Sequence, residues 1–300
     1  MAISRAQLVK ELEPGLNALF GLEYKSYANE HAEIFDTESS DRAFEEEVML
    51  SGFANASVKP EGQGVQFDDA QETFTARYTN ETIALAFAIT EGAIEDNLYD
   101  RLASRYTKAL ARSMANTKQV KAAAVLNNGF NANFAGGDGV ALFATNHPTI
   151  AGTFSNELAV ASDLNETSLE QALIDIAAMT DERGLKIASR GMKLIIPSAL
   201  QFTADRLMKS EGRTGTADND INAVKNMGMI PEGYTVNHFL TSAKKWFIKT
   251  DVPNGLKHFV RSPIKTSMEG DFDTGNVRYK ARERYVFGFS DPRGIFGSDI

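Results

Sequence analysis

Residues 277–289 read VRYKARERYVFGF, a run in which two kinds of side chain alternate. The first kind is cationic: Arg278, Lys280, Arg282 and Arg284. The second kind is aromatic or small, with one carboxylate: Tyr279, Ala281, Glu283 and Tyr285. A period of two places the two sets on opposite faces of a β-strand. A strand of this run would be roughly 43 Å long, whereas most strands contain only five or six residues. We expect so long a strand, with four cations in a row, to brace neighbouring subunits rather than to line an enzyme pocket.

The composition is that of an ordinary folded protein. The chain has 300 residues, of which 43% are hydrophobic and 24% are charged. This length predicts two domains and a core that is stable without disulfides or structural metal ions. No stretch approaches eighteen apolar residues, and no hydrophobic run opens the chain, so we expect neither a membrane span nor a secretory signal. The absence of cysteine excludes disulfides, thiolate metal sites and cysteine nucleophiles, and it fits synthesis in a reducing cytoplasm.

The charge is unevenly distributed along the chain. Residues 1–100 carry 20 acidic and 6 basic side chains, a net charge of −14, whereas residues 101–300 have a net charge of +5. The two parts can simply form separate solvated surfaces. They can also dock head to tail, so that the acidic front third of one subunit lies on the basic rear of a neighbour, because complementary charge sets register.

The front third predicts an arm followed by a hairpin. Residues 4–22 predict an amphipathic helix interrupted at Pro14, and residues 24–40 predict an extended arm. Two strands, 45–53 and 73–89, surround a turn signal at residues 59–64. An isolated hairpin is marginal in water, so we expect this one to lie against a partner subunit.

After residue 89 the apolar period changes to that of a helix. Thr90 is a plausible N-cap, and the pattern continues to Asn128-Gly129, which predicts a spine helix over about 90–128. Its predicted inward stripe is Ile94, Leu98, Leu102, Tyr106, Ala109 and Leu110. The remaining chain predicts helices at 168–183 and 199–209 and strands at 192–196, 229–230, 234–236, 246–248 and 256–263.

The sequence predicts no catalytic, cofactor or metal site. None of the four histidines has a metal-ligand partner three or four residues away, and no nucleophile elbow or phosphate loop occurs. His147 lies in a polar loop without an orienting neighbour in sequence. The cationic run 278–284 could contact phosphate, and a salt bridge to a neighbour's acidic arm explains it equally well.

The order of these parts, together with the ending RYKARERYVFGFSDPRGIFGS at residues 278–298, resembles tailed-bacteriophage major capsid proteins. The segment FATNHP at residues 143–148 resembles part of the same pattern. The resemblance implies an α+β chain with the Hong Kong 97-type capsid fold. Its parts would be an N-terminal arm at 1–43, an extended loop at 44–88, a peripheral domain at 89–187 and 256–300, and an axial domain at 188–255.

The same resemblance implies partners and a place in the cell. The chain would assemble in the host cytoplasm as pentamers and hexamers, closing an icosahedral virion shell around double-stranded DNA. A scaffolding protein, a portal and decoration proteins would be further partners, with no membrane involved. Lys59 lies where some relatives carry a crosslinking lysine, but the asparagine and glutamate of that reaction have no match here.

Nine charged residues are our predicted inter-subunit contacts: Glu45, Glu46, Glu47, Lys59, Glu61, Arg278, Lys280, Arg282 and Arg284. Two other functions stay open. One is an encapsulin-type nanocompartment that packages cargo enzymes, and the other is a soluble two-domain α/β enzyme using His147 with a nearby carboxylate.

Overall fold

The structure is a computed structural model, and it describes residues 5–92, 99–213, 220–271 and 273–300. The helices are α1 (Arg5–Ser26), α2 (Tyr99–Asn127), α3 (Glu166–Ala178), α4 (Gln201–Lys209) and α5 (Ala223–Asn226). The first six strands are β1 (Asp36–Ser39), β2 (Phe44–Leu50), β3 (Glu72–Thr79), β4 (Glu81–Ile89), β5 (His147–Thr149) and β6 (Gly152–Phe154). The others are β7 (Gly191–Ile196), β8 (Tyr234–Val236), β9 (Trp246–Thr250), β10 (Leu256–Gly270), β11 (Val277–Phe289) and β12 (Ile295–Ser298).

The long alternating run forms one strand, as predicted. β11 pairs antiparallel with β10 on one side and with β4 on the other, and β1 adds to β10 in parallel, giving the order β1-β10-β11-β4. Tyr279, Ala281, Glu283 and Tyr285 are buried, whereas the four cations face away from the core. Along residues 277–285 the sheet is therefore packed on one face only, which is why the alternation in the sequence is so regular there. Near Val286 and Gly288 the other face is covered by Ala76 and Tyr78 of β3.

Helices α1 and α2 cover the buried face of this sheet. Leu16 and Phe20 of α1 and Leu110 and Met114 of α2 pack around Tyr279. The spine helix ends at Asn127, as predicted, while its predicted first turns fall on residues 93–98, outside the described part. Its buried stripe differs from the predicted one and consists of Ala103, Thr107, Leu110, Ala111, Met114, Ala115, Gln119, Ala122, Ala123 and Leu126. The predicted inward residues Tyr106 and Ala109 are exposed, because the face that meets β11 is rotated toward Thr107 and Ala111.

The prediction of an interrupted helix and an extended arm is wrong. α1 runs through Pro14 without a break to Ser26, and a 3-10 turn at Glu30–Glu33 and strand β1 follow it along the body. A proline removes one helical hydrogen bond, but the burial of Leu16 and Phe20, in the two turns after Pro14, offsets that loss. Residues 16–40 therefore pack on the body of their own subunit.

The hairpin is confirmed, but its second strand is shorter than predicted. β2 pairs with β3, and the connection 51–71 turns at Glu61-Gly62, where Gly62 has a φ of +82°. The predicted strand 73–89 divides at Asn80, whose side-chain amide donates to Ser40 Oγ and the Arg42 carbonyl. Beyond Asn80 the chain leaves the hairpin and continues as β4 of the main sheet.

A second sheet, ordered β12-β9-β7-β8, forms the other core with α3 and α4. Asn165 caps α3 reciprocally with Ser168. The helix ends at Ala178 rather than at Arg183, because the chain turns back through a bridge between Thr180 and Lys186. Residues 229–230 form a bend rather than the predicted strand. On α4, the side chain of Phe202 is exposed. Helix α3 packs on this sheet and β12 is one of its strands, although both belong to the predicted peripheral domain. The boundary between the peripheral and axial domains therefore stays a prediction.

No described helix combines the length and the apolar character that crossing a bilayer requires.

Candidate subunit interface

The glutamates of β2 are held by their own subunit. Glu45 accepts hydrogen bonds from Ser40 Oγ at 2.8 Å and from the Arg42 backbone, which lowers the pKa of its carboxyl. Glu46 lies 3.7 Å from Arg77 in an exposed ion pair. These two predicted contact residues therefore have partners at the base of the hairpin.

Glu47 belongs to a partly buried group that joins the hairpin to the main sheet. Its carboxylate accepts a hydrogen bond from Ser290 and lies 3.5 Å from Lys257, whose ammonium also contacts Glu38. Burial lowers the pKa of Lys257, but the two glutamates outweigh it, so the pKa is raised overall and the lysine stays charged. Glu47 therefore anchors the hairpin rather than offering a free charge.

The outer part of the hairpin packs on little of its own subunit. We call β2, β3 and the connection 51–71 the hairpin arm. The connection encloses a cavity of about 650 Å³ lined only by its own residues. One body contact is the hydrogen bond from Arg183 to the Asp69 carbonyl, at 2.7 Å. The arm exposes a set of large apolar side chains: Phe44, Val48, Leu50, Phe53, Val58, Val65 and Phe67.

Free charge on the arm is concentrated toward its tip and is mostly negative. The connection and the start of β3 carry four exposed carboxylates: Glu61, Asp68, Asp69 and Glu72. Asp68 accepts a hydrogen bond from the Ala54 backbone, which lowers the pKa of its carboxyl. Lys59 is exposed, and neither it nor Glu61 has a partner among the described residues. The arm thus combines apolar side chains with net negative charge on one projecting element.

The cations of β11 lie on the open face of the main sheet. Arg278 is neutralised by Asp271 at 2.5 Å. The other three face alanines and a threonine on β4, at Ala84, Ala86 and Thr82. They line a groove of about 540 Å³ with part of β10, which we call the basic groove: Arg261, Ser262, Pro263, Lys265, Thr266, Ser267, Lys280, Arg282 and Arg284.

Arg261 and Lys265 were not among the predicted contact residues. Lys265 lies beyond Pro263, where β10 was predicted to end. The strand continues to Gly270, and its register shifts twice between Val260 and Lys265. Such irregularities re-aim side chains and commonly surround a proline, which cannot donate to the ladder. In the sequence, the proline inside an otherwise extended pattern was the signal for this irregularity.

His147 has the orienting neighbours that its sequence context lacks. Its Nδ1 lies 2.6 Å from Asp138 Oδ2 and its Nε2 lies 3.1 Å from Asn156 Oδ1. Asn156 also donates to the carbonyls of Leu142 and Pro292. The side chains of His147 and Asp138 are 0% and 2% exposed, so a substrate has no access to them. The group joins the loop after α2 to the carboxyl-terminal segment.

One acidic side chain occupies an apolar position on β11. Glu283 is 1% exposed, and burial raises the pKa of its carboxyl. Its Oε2 accepts from Tyr24 Oη at 3.2 Å and lies 3.4 Å from Lys118 Nζ, so α1, α2 and β11 meet at this group. Among the described residues, no group of histidine and carboxylate side chains could hold a metal ion.

The comparisons with known proteins agree with this architecture. The model of a phage capsid protein family matches residues 72–297. The capsid of an empty GTA particle superposes with a TM-score of 0.57 at 12% identity, covering 90% of this chain and 89% of that chain. The procapsid of bacteriophage JBD30 gives 0.53 at 17% identity, with 99% and 76% covered.

A virus-like particle from Pyrococcus furiosus gives a TM-score of 0.52 at 11% identity, with 95% of this chain and 98% of that chain covered. No curated protein sequence matches the chain. The likenesses to solved structures concern the fold, and the family model covers most of the chain. The chain has the Hong Kong 97-type capsid fold that its sequence predicts, and it belongs to the phage capsid protein family.

Proposed function

We propose that this chain is the main structural protein of a virion shell, in which pentamers and hexamers close an icosahedral particle around double-stranded DNA. The observation that carries the proposal is the hairpin arm. Val58 and Phe67 are 94% and 98% exposed at its outer part, in a family whose members form capsids. Large exposed apolar side chains on one element mark a surface that is buried in an assembly.

The N-terminal segment that was predicted to be an extended arm does not project from the subunit, which leaves the hairpin arm as the candidate for contacting a neighbouring copy. Because residues 16–40 pack on their own body, the hairpin arm is the described element that projects toward a neighbour. A contact from a projecting element to a different surface of the next copy is heterologous, and it closes into rings when the rotation allows. The predicted contact residues Lys59 and Glu61 lie at the tip of this arm and stay part of the proposal.

The proposed role is structural and not enzymatic. The histidine considered for catalysis is sealed inside the protein, where its bonds hold two segments together. Assembly would take place in the host cytoplasm with a scaffolding protein, a portal and decoration proteins. Contacts with the packaged DNA would be non-specific, since the chain is acidic overall and has a net charge of −9.

A second candidate is an encapsulin-type shell that holds cargo enzymes. The likeness to the virus-like particle from Pyrococcus furiosus, which spans nearly the full length of both chains, favours it. The two functions differ in what the particle contains.

The test is expression of the chain alone and with the neighbouring genes of its source, followed by negative-stain electron microscopy. We expect closed particles, or isolated pentamers and hexamers that close when a scaffolding protein is present. Nuclease-protected DNA inside native particles supports a virion shell, and co-purifying enzymes without DNA support the nanocompartment. A monodisperse monomer at high concentration under both conditions would contradict both.

A further inference from the structure

We propose that a cavity at the base of the hairpin arm binds an aliphatic diamine or polyamine, a small molecule that carries ammonium groups on a methylene chain. The cavity has a volume of about 350 Å³. Residues 49–52 of the hairpin arm form one wall, and the other walls belong to the body of the same subunit. This site goes beyond the proposed function, and it does not require that the chain form a shell.

The charge around the cavity is mostly negative. A single guanidinium, that of Arg293, lines it together with four carboxylates: Asp181, Glu182, Asp251 and Asp291. The guanidinium is already engaged, because it donates to Glu182 Oε1 at 2.8 Å and to Asp291 Oδ1 at 3.3 Å. Burial raises the pKa of the Asp291 carboxyl, although Arg293 acts to lower it. The cavity therefore lacks positive charge, which a cationic ligand supplies.

Two of the carboxylates are buried and only half satisfied. Glu182 and Asp291 are 3% and 8% exposed, and both line the cavity. In each of them one oxygen accepts from Arg293, while the other oxygen has no hydrogen-bond partner within the ranges that the structure describes. A buried carboxylate oxygen without a donor is unfavourable. The two free oxygens therefore point to a ligand that carries both hydrogen-bond donors and positive charge.

The other two carboxylates are oriented by the backbone. Asp181 Oδ1 accepts hydrogen bonds from the N–H groups of Arg183 and Leu185, at 2.9 and 2.7 Å. Asp251 Oδ1 accepts one from the N–H group of Arg190 at 2.8 Å. Because these bonds use one oxygen of each side chain, the second oxygen stays available to an ammonium group. Charge-assisted hydrogen bonds of this kind are the strong ones.

An elongated organic cation fits the cavity better than a metal ion does. No three carboxylates in the described part of the chain are arranged so that they could share one ion. The cavity also has apolar walls, which come from Met49, Leu50, Ile187, Val252 and Pro253. A methylene chain packs on apolar walls while the ammonium groups that it carries reach separate carboxylates, as lysine side chains do on protein surfaces.

The backbone beside the cavity adopts an uncommon conformation. Among the residues that the structure describes, two that are not glycine have a positive φ, Ala188 at +52° and Asn254 at +60°. Ala188 lies between Ile187 and Ser189, and Asn254 follows Pro253, so both adjoin residues that line the cavity. Such conformations are unfavourable and cluster at ligand-binding sites. Their position supports a binding role for this cavity.

The test is calorimetric titration of the unassembled chain with putrescine and with spermidine. We expect saturable binding of one molecule per chain. Butylamine, which has one ammonium group, and the neutral diol with the carbon chain of putrescine are the ligand controls. Both should bind at least about tenfold more weakly, since each charge-assisted contact that is lost weakens binding by about this factor. Equal binding of butylamine, or no binding of either polyamine, would overturn the inference.

A pair of variants places the ligand in this cavity. Asp181→Asn combined with Asp251→Asn removes two charges but keeps the oxygens that accept the backbone hydrogen bonds. We expect this variant to bind putrescine about tenfold more weakly or less tightly still. The control combines Asp41→Asn with Asp273→Asn, which are exposed, lie outside the cavity and change the net charge equally. The control should bind like the parent, and equal weakening in both variants would overturn the inference.

Two further measurements keep the outcome decisive. Circular dichroism shows whether the cavity variant folds, and if it does not, Asp251→Asn alone replaces it, because that side chain is exposed. Putrescine binding is also compared between the unassembled chain and assembled particles. Binding that disappears in particles would overturn the assignment, since a cationic side chain of a neighbouring copy would then fill the cavity. If the chain forms no particles, the proposed function fails while the titration of the unassembled chain still decides this inference.

Discussion

Lys118 of the spine helix and Glu283 of the long strand form a buried contact, with 3.4 Å between Nζ and Oε2. The side chains are 16% and 2% exposed. Glu283 Oε1 has no hydrogen-bond partner among the described residues, and Tyr24 of α1 donates to the other oxygen. The pair therefore ties three elements together in a place where the alternation of β11 calls for an apolar side chain.

We predict that Glu283→Gln destabilises the subunit by about 3 kcal/mol, because it leaves the ammonium of Lys118 without its counter-charge in a mostly buried site. The double replacement Glu283→Met with Lys118→Met should be near neutral, since removing both partners of a buried pair often is. Urea unfolding of Glu283→Met, Lys118→Met, the double variant and the parent gives the coupling energy. A single variant as stable as the parent would contradict the importance of the pair.

The pH dependence of stability is predicted to follow two buried histidines. Burial, then the charge of Lys118, lowers the pKa of His31 to about 4, and burial likewise lowers that of His258 to about 3. A histidine whose pKa is lower in the folded protein than its unfolded value near 6.5 makes its full contribution to stability above pH 6.5. This contribution is lost as the pH falls from there toward the pKa of the folded state. At pH 4.5 we expect a loss of about 2–3 kcal/mol per histidine relative to pH 7.

The variant His258→Phe checks this sign. His258 Nε2 has no partner among the described residues, and its ring stacks on Phe287 at 4.2 Å, so an aromatic replacement fits the site. The difference in unfolding free energy between pH 7 and pH 4.5 should shrink in this variant. His238→Gln is the control, because that ring is exposed, and it should leave the difference close to the parent's.

Gly137 is predicted to set the distance between the glycine-rich loop and the hairpin. A Cβ at this position would lie 2.7 Å from the Thr75 carbonyl oxygen, closer than the backbone allows. Gly137→Ala should therefore cost about 1–3 kcal/mol of unfolding free energy. Gly15→Ala, where nothing lies within 4 Å of the added carbon in α1, should be neutral or stabilise by up to about 1 kcal/mol. Equal stabilities for the two would contradict the close approach.

The sequence predicted elements whose signal is local and periodic. The alternation of residues 277–289 gave the correct strand and faces because one side of the sheet is packed and the other is open. The end of the spine helix at Asn127 was equally local, since it depends on one or two side chains.

The errors arise where distant contacts decide the outcome. Residues 24–40 look irregular alone, yet Ile34 and Phe35 are buried in a core with Leu126 and Phe247. The division of the strand at Asn80 depends on Ser40, forty residues away. The buried position of His147 depends on Asp138 and Asn156, whose proximity no spacing rule indicates.

The candidate interface was only partly visible for the same reason. Lys280, Arg282 and Arg284 were found from their alternation, and the structure places them together in one groove. Arg261 and Lys265 line the same groove from the part of β10 where the ladder is irregular. Glu45, Glu46 and Glu47 seemed free in the sequence. The partners of Glu46 and Glu47, Arg77 and Lys257, lie on other strands, and the partner of Glu45, Ser40, is near in sequence but faces it only because the chain turns between β1 and β2.

The most direct test of the assembly account is to shorten the arm without touching the body. Residues 53–69 are replaced by a short Gly-Ser turn that leaves β2 and β3 paired. We predict a chain that unfolds with nearly the parent's free energy but remains small in sedimentation velocity and forms no closed particles by electron microscopy. Closed shells of normal size from this shortened chain would contradict the claim that the arm joins one copy to the next.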